Sequence, residues 1–117
     1  MIFLAGYPVA SSYGLPDTGY IAMAEMCDKI KEACRQTTIP VMADGDTGYG
    51  SPMNVKRTVQ CYAQAGAAGV MIEDQTWPKR KSTLSLTTSV RDWHFILYLT
   101  THKGVFETMI KLIDISK

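Results

Sequence analysis

The chain has 117 residues, 46% of them hydrophobic and 20% charged. That is enough for one domain with a modest core, and less than half of the roughly 250 residues of a complete (β/α)₈ barrel. Its 12 Lys and Arg against 11 Asp and Glu leave a formal charge of +1, which argues against nucleic acid or an acidic membrane as the main partner, because either would favour a concentrated basic surface.

In chain order, Ile2-Phe3-Leu4-Ala5 reads as a short apolar strand. The N-terminus is too short and lacks the basic start expected of a signal peptide. A loop follows, marked by Gly6, Pro8, Ser11, Ser12, Gly14, Pro16 and Gly19. Residues 21–35 carry Met23, Met26, Cys27, Ile30, Ala33 and Cys34 at helical period, with charged residues on the other face. Residues 39–43 read as a second strand. Ser51 as N-cap, Pro52 just inside and Gly66 beyond the end frame a second helix over 52–65. Residues 69–73 read as a third strand. Strands apolar on both faces and separated by amphipathic helices indicate a parallel α/β sheet or barrel.

The character changes after residue 80. Lys81 to Ser89 is rich in hydroxyl residues, Trp93 to Leu99 reads as a strand or a buried helical turn, and Val105 to Ile113 carries a terminal helical stripe. Neither apolar stretch is long enough to span a bilayer. His94 and His102 have no acidic partner near them in sequence and read as incidental. The three cysteines, Cys27, Cys34 and Cys61, form no C-x-x-C pair, so zinc and redox motifs are unsupported. A reducing, intracellular setting in cytoplasm or an organelle is expected.

The most informative stretch is Ala43-Asp44-Gly45-Asp46-Thr47-Gly48-Tyr49-Gly50. Two carboxylates stand two residues apart on a glycine-rich turn at the end of an apolar strand. Such a turn serves either to cap the next helix or to hold a hard cation such as Mg²⁺. Glu73 ends the third strand in the same way. Neighbouring parallel strands lie about 4.8 Å apart, so carboxylates from two strand ends can share one ion, directly or through water. This second source favours the metal reading for Asp44, Asp46 and Glu73. A calcium loop of the EF-hand type is excluded, because counting from Asp44 puts Val55 where the bidentate glutamate belongs. On the residues alone, Asp17 after Pro16 reads as a turn residue, and Lys79-Arg80-Lys81 as a solvated run.

Residues 14–80 resemble the isocitrate lyase/phosphoenolpyruvate mutase superfamily, through Gly14-Leu15-Pro16-Asp17-Thr18-Gly19, Glu25-Met26, Asp44 to Gly50, Asn54 to Val59, Ala65 to Gly69, and Ile72-Glu73-Asp74-Gln75 with Pro78-Lys79-Arg80. The nearest likeness is to carboxyphosphonoenolpyruvate phosphonomutase-like proteins, methylisocitrate lyases and dimethylmalate lyases. The resemblance implies a (β/α)₈ barrel that uses Mg²⁺ and acts on a small 2-oxo acid, enolate or dicarboxylate-type substrate. It matches Asp44 and Asp46 to the metal-site aspartates, and Glu73 to an acidic residue that reaches the metal through water. Asp17 matches an active-site aspartate and Lys79 the first lysine of a catalytic loop. Gly6 and Tyr7 match the segment whose backbone N–H groups receive the substrate carboxylate, although Ala5 stands where the family usually has Ser.

The chain departs from the family after Lys79. The lyases continue there with Cys-Gly-His, whereas this chain continues as Arg80-Lys81-Ser82-Thr83. The expected fold is therefore α/β: roughly three βα units of a partial TIM-type barrel over residues 1–80, with a divergent tail over 81–117 carrying a terminal helix. Two functions remain open. One is Mg²⁺-dependent C–C lyase or phosphonomutase-type chemistry, impaired by truncation. The other is an inactive fragment or splice product that forms homo-oligomers or associates with full-length homologues.

Overall fold

The computed structural model describes residues 1–73 and, beyond them, the strand segments Phe95–Ile96 and Leu112–Ile113. The elements are β1 (Ile2–Leu4), α1 (Gly6–Ser12), α2 (Met23–Gln36), β2 (Val41–Asp44), α3 (Pro52–Ala65), β3 (Gly69–Met71), β4 (Phe95–Ile96) and β5 (Leu112–Ile113). Strands β1, β2 and β3 form one sheet in that order, and both pairings are parallel. Ile2 stands opposite Val41, and Asp44 opposite Met71. This is the strand–helix alternation of a partial TIM-type barrel.

The boundaries follow from the residues. Pro40 has no N–H to give to a ladder, so β2 starts after it and runs on to Asp44, later than the expected 39–43. The Pro40 carbonyl still accepts the Ile2 N–H at 2.8 Å. Helix α3 spans the expected residues, with Pro52 in its first turn and Gly66 closing it at φ 104°. Beyond Met71 the chain bonds to the loop after β2 instead of to the strand: the Glu73 N–H donates to the Asp46 carbonyl at 2.7 Å. The third strand is accordingly shorter than 69–73.

Helix α1 corrects the loop expected after residue 5. Pro8 falls in its first turn, where a missing N–H is no loss. Val9 and Ala10 on α1 are buried, and that burial holds the segment helical despite its Gly, Pro and Ser content. The core gathers Val9, Met26, Cys27, Ile30, Ala43, Val59, Tyr62, Ala65, Ala67, Val70 and Ile72. Full burial of a side chain such as Ile30 or Val59 contributes about 1.5–3 kcal/mol. In β2, Val41 and Ala43 are buried while Met42 and Asp44 are partly exposed, so alternation along the strand turns Asp44 to the face away from Ala43.

Strands β4 and β5 pair antiparallel in a separate two-stranded sheet. The expected terminal helix meets the described residues only at Leu112–Ile113, and there a strand stands in its place. The Trp93–Leu99 run is a strand at Phe95–Ile96. The rest of 74–117, including Lys79, lies outside the described residues. No helix among the described residues is long and apolar enough to cross a membrane.

Candidate functional site

The C-terminal end of β2 carries the site. Asp44 is the last strand residue, and both of its carboxylate oxygens are held by backbone. Oδ1 accepts the Asp46 N–H at 2.9 Å, and Oδ2 accepts the Gly6 N–H at 3.2 Å from the start of α1. Two amide donors fix the carboxylate's plane and leave each oxygen a further lone pair.

The loop that follows is tied on every side. The Gly45 N–H donates to the Met71 carbonyl at 2.7 Å, which puts Gly45 against β3. A Cβ on Gly45 would stand 2.9 Å from both Met71 O and Val70 Cγ1, so only glycine fits there. From α3, the Thr58 hydroxyl donates to the Gly48 carbonyl at 3.1 Å, and the Tyr62 hydroxyl donates to the Asp44 carbonyl at 3.1 Å. Tyr49 and Tyr62 hydroxyls lie 2.9 Å apart. Burial is the main cause that pushes both phenols well above their ordinary pKa, so both stay protonated through the neutral range. Asp46 and Tyr49 hold left-handed backbone, at φ 49° and 62°.

Gly6, Asp17, Asp44, Asp46 and Tyr49, together with Ala10, Ile21 and Met26, line a small open cleft. The structure thus brings four of the residues singled out in the sequence, Gly6, Asp17, Asp44 and Asp46, to one place. Tyr7 is exposed and is not part of the cleft lining. Glu73 is buried, with its backbone bonded to Asp46, but its side chain does not line the cleft either. Among the described residues, no group of three or more His, Cys, Asp or Glu side chains stands ready to hold a metal ion. The oxygen-only pair Asp44 and Asp46 nevertheless suits Mg²⁺, which takes one or two carboxylates and keeps several waters. Sequence reasoning passed over Tyr49, Thr58 and Tyr62. The available signal was Thr58 and Tyr62 four residues apart on the buried stripe of α3, two hydroxyls where an apolar face needs none.

Parallel strands alternating with helices, with a carboxylate-lined cleft at the strand C-terminal ends, are the arrangement of part of a β/α barrel. The chain belongs to the phosphoenolpyruvate phosphomutase family, whose sequence model matches residues 1–110. It is similar to the isocitrate lyase of Haloferax volcanii, with 47% identity over 79 residues, 67% of this chain and 23% of that one. Among solved structures it is similar to phosphoenolpyruvate phosphomutase from Streptomyces platensis subsp. rosaceus, at 38% identity and a TM-score of 0.66, covering 72% of this chain and 29% of that one. It is also similar to phosphonopyruvate hydrolase in complex with oxalate and Mg²⁺, at 34% identity and a TM-score of 0.63, covering 68% and 28%. The chain therefore spans about a quarter of the length of the relatives it matches.

Proposed function

We propose that the strand-end cleft holds Mg²⁺ and a small 2-oxo acid or dicarboxylate, for C–C bond cleavage or phosphonomutase-type chemistry. The observation that carries this reading is the Asp44 carboxylate, oriented by two backbone amides at the mouth of the cleft. Its support from outside the chain is that phosphonopyruvate hydrolase, a similar protein, forms a complex with oxalate and Mg²⁺.

Asp44 and Asp46 would hold the ion, and Glu73, outside the cleft lining, would support the loop that carries them through its backbone bond to Asp46. Bound there, Mg²⁺ supplies a divalent charge that lowers the energy of negative charge developing on a substrate oxygen. Asp17 lines the same cleft as Gly6 and Asp44, and its carboxylate would exchange a proton with a ligand bound there. By the family resemblance Lys79 would supply a cation, and Gly6, which lines the cleft, would border the substrate carboxylate, whereas Tyr7 lies outside the lining. Turnover by this chain is low on this reading. Arg80-Lys81-Ser82-Thr83 stands where the lyases have Cys-Gly-His, and loss of a general acid costs about 10²–10⁴ in rate.

The test is to assay purified protein with methylisocitrate, dimethylmalate and phosphonopyruvate at saturating Mg²⁺. Slow turnover of one of them, abolished by Asp44→Asn, is expected. A rate near that of a full-length relative would overturn the reading of the residues after Lys79. The same sequence departure favours a second reading, an inactive product that forms homo-oligomers or associates with full-length homologues. Sedimentation of the chain alone and mixed with such a relative tests it.

A further inference from the structure

The hydroxyls of Tyr49 and Tyr62 form a chain that ends on the backbone of Asp44. A phenol has one proton to give, and a carbonyl has none. Tyr62 gives its proton to the Asp44 carbonyl at 3.1 Å. In the 2.9 Å contact between the two hydroxyls, Tyr49 must therefore be the donor and Tyr62 the acceptor. The order is forced: Tyr49 to Tyr62 to Asp44. Tyr62 is fully buried on α3, and Tyr49 lines the cleft beside Asp44 and Asp46. Tyr49 reaches Tyr62 from backbone at φ 62°, a conformation that a bulky residue holds only when its surroundings repay the strain.

We propose that this relay is a positioning device for Asp44: Tyr62, kept in place by Tyr49, fixes the peptide that follows Asp44 and thereby the amide that grips its carboxylate. The inference deepens the reading of Asp44 as a ligand and rests on it. The connection runs through few bonds. The Asp44 carbonyl belongs to the peptide joining Asp44 to Gly45, and one residue further on the Asp46 N–H donates back to Asp44 Oδ1 at 2.9 Å. Turning that first peptide swings the Asp46 amide away and releases the carboxylate. Neither tyrosine needs to touch a ligand. Both are positioning residues, and their effect is read at Asp44.

The test uses amide hydrogen exchange on the whole chain without metal, so its outcome does not depend on whether the chain binds Mg²⁺. The Gly6 and Asp46 amides both donate to the Asp44 carboxylate and report directly on how firmly it is held. In Tyr62→Phe, these two amides should exchange roughly three- to tenfold faster, measured relative to amides of α2. Tyr49→Phe removes the donor at the cleft end, leaves the bond from Tyr62 to Asp44, and should give a smaller acceleration at the same two amides. The double variant should be no faster than Tyr62→Phe alone, because the two hydroxyls act in series. Val59→Ala, a core truncation on the same helix, is the control for general loosening. If the tyrosine variants accelerate all amides uniformly, as expected of Val59→Ala, or leave Gly6 and Asp46 unchanged, the relay has no positioning role. Should Tyr62→Phe fail to fold, Tyr49→Phe decides the matter by the same comparison.

Discussion

Replacing Gly45 by alanine tests whether the loop carrying the carboxylates is locked to β3. Gly45 does not hold a positive φ, so its backbone suits alanine and the penalty is steric. The new Cβ would meet Met71 O and Val70 Cγ1 at 2.9 Å and Ile72 Cγ1 at 3.1 Å. Met71 O is backbone and is itself the acceptor for the Gly45 N–H at 2.7 Å. The loop can yield only by lifting off β3, which weakens that bond and the neighbouring bond from Glu73 N to Asp46 O. Overpacking of this kind costs about 1–3 kcal/mol, and each weakened bond about 0.5–1.5 kcal/mol. Gly45→Ala should therefore destabilise the fold by about 2–6 kcal/mol, a fall in Tm on the order of 10–20 °C for a chain of this size. Gly14→Ala is the contrast: at φ +68° with nothing near the added Cβ, it carries only a left-handed backbone penalty of about 1 kcal/mol. Thermal and urea unfolding followed by circular dichroism measure both. If Gly45→Ala were no less stable than Gly14→Ala, the loop would not be packed on β3 as described.

Tyrosinate absorbance should show Tyr49 and Tyr62 un-ionised in folded protein above pH 10, where exposed phenols titrate. Because the folded form keeps protons that the unfolded form releases, stability is unaffected below pH 10. Above it, stability falls by about 1.4 kcal/mol per pH unit for each buried phenol; a flat profile from pH 10 to 11.5 would contradict their burial. Burial, with the Cys61 thiol beside it, raises the pKa of the Cys27 thiol, so Cys27 should be the slowest of the three cysteines to react with an aromatic disulfide at pH 8. Mass spectrometry of partially labelled protein checks the order. Asn54 Oδ1 accepts both the Ser51 N–H at 3.0 Å and the Ser51 hydroxyl at 2.8 Å. Asn54→Ala should therefore cost about 0.5–2 kcal/mol by loosening the start of α3, read from urea midpoints.

The sequence was most legible where composition and period agree. Residues 52–65 have Pro at the start, Gly just past the end and an apolar stripe between, and α3 keeps those limits. Residues 6–12 conceal a helix because Gly6, Pro8, Ser11 and Ser12 all suggest a turn; only the burial of Val9 and Ala10, a tertiary fact, makes α1 stable. Asp44 and Asp46 look equivalent in sequence. In the fold they differ: Asp44 ends a strand and is gripped by two amides, while Asp46 sits in left-handed backbone on the loop. Glu73 has strand-end spacing, but β3 stops at Met71 and Glu73 leaves the ladder to bond the loop. The tyrosine relay was invisible because a Tyr on an apolar stripe reads as one more core aromatic, and its hydroxyl acquires a role only once β2 and α3 are brought together.

The most direct test of the account is calorimetric titration of the purified chain with Mg²⁺ in the presence of oxalate, repeated on Asp44→Asn and Asp46→Ala. Saturable binding of one ion per chain is expected, weakened at least about tenfold in each variant, because a charged ligand of a hard cation is removed. Absence of binding by the unaltered chain, or an affinity unchanged in both variants, would contradict the assignment of the strand-end carboxylates as a metal site.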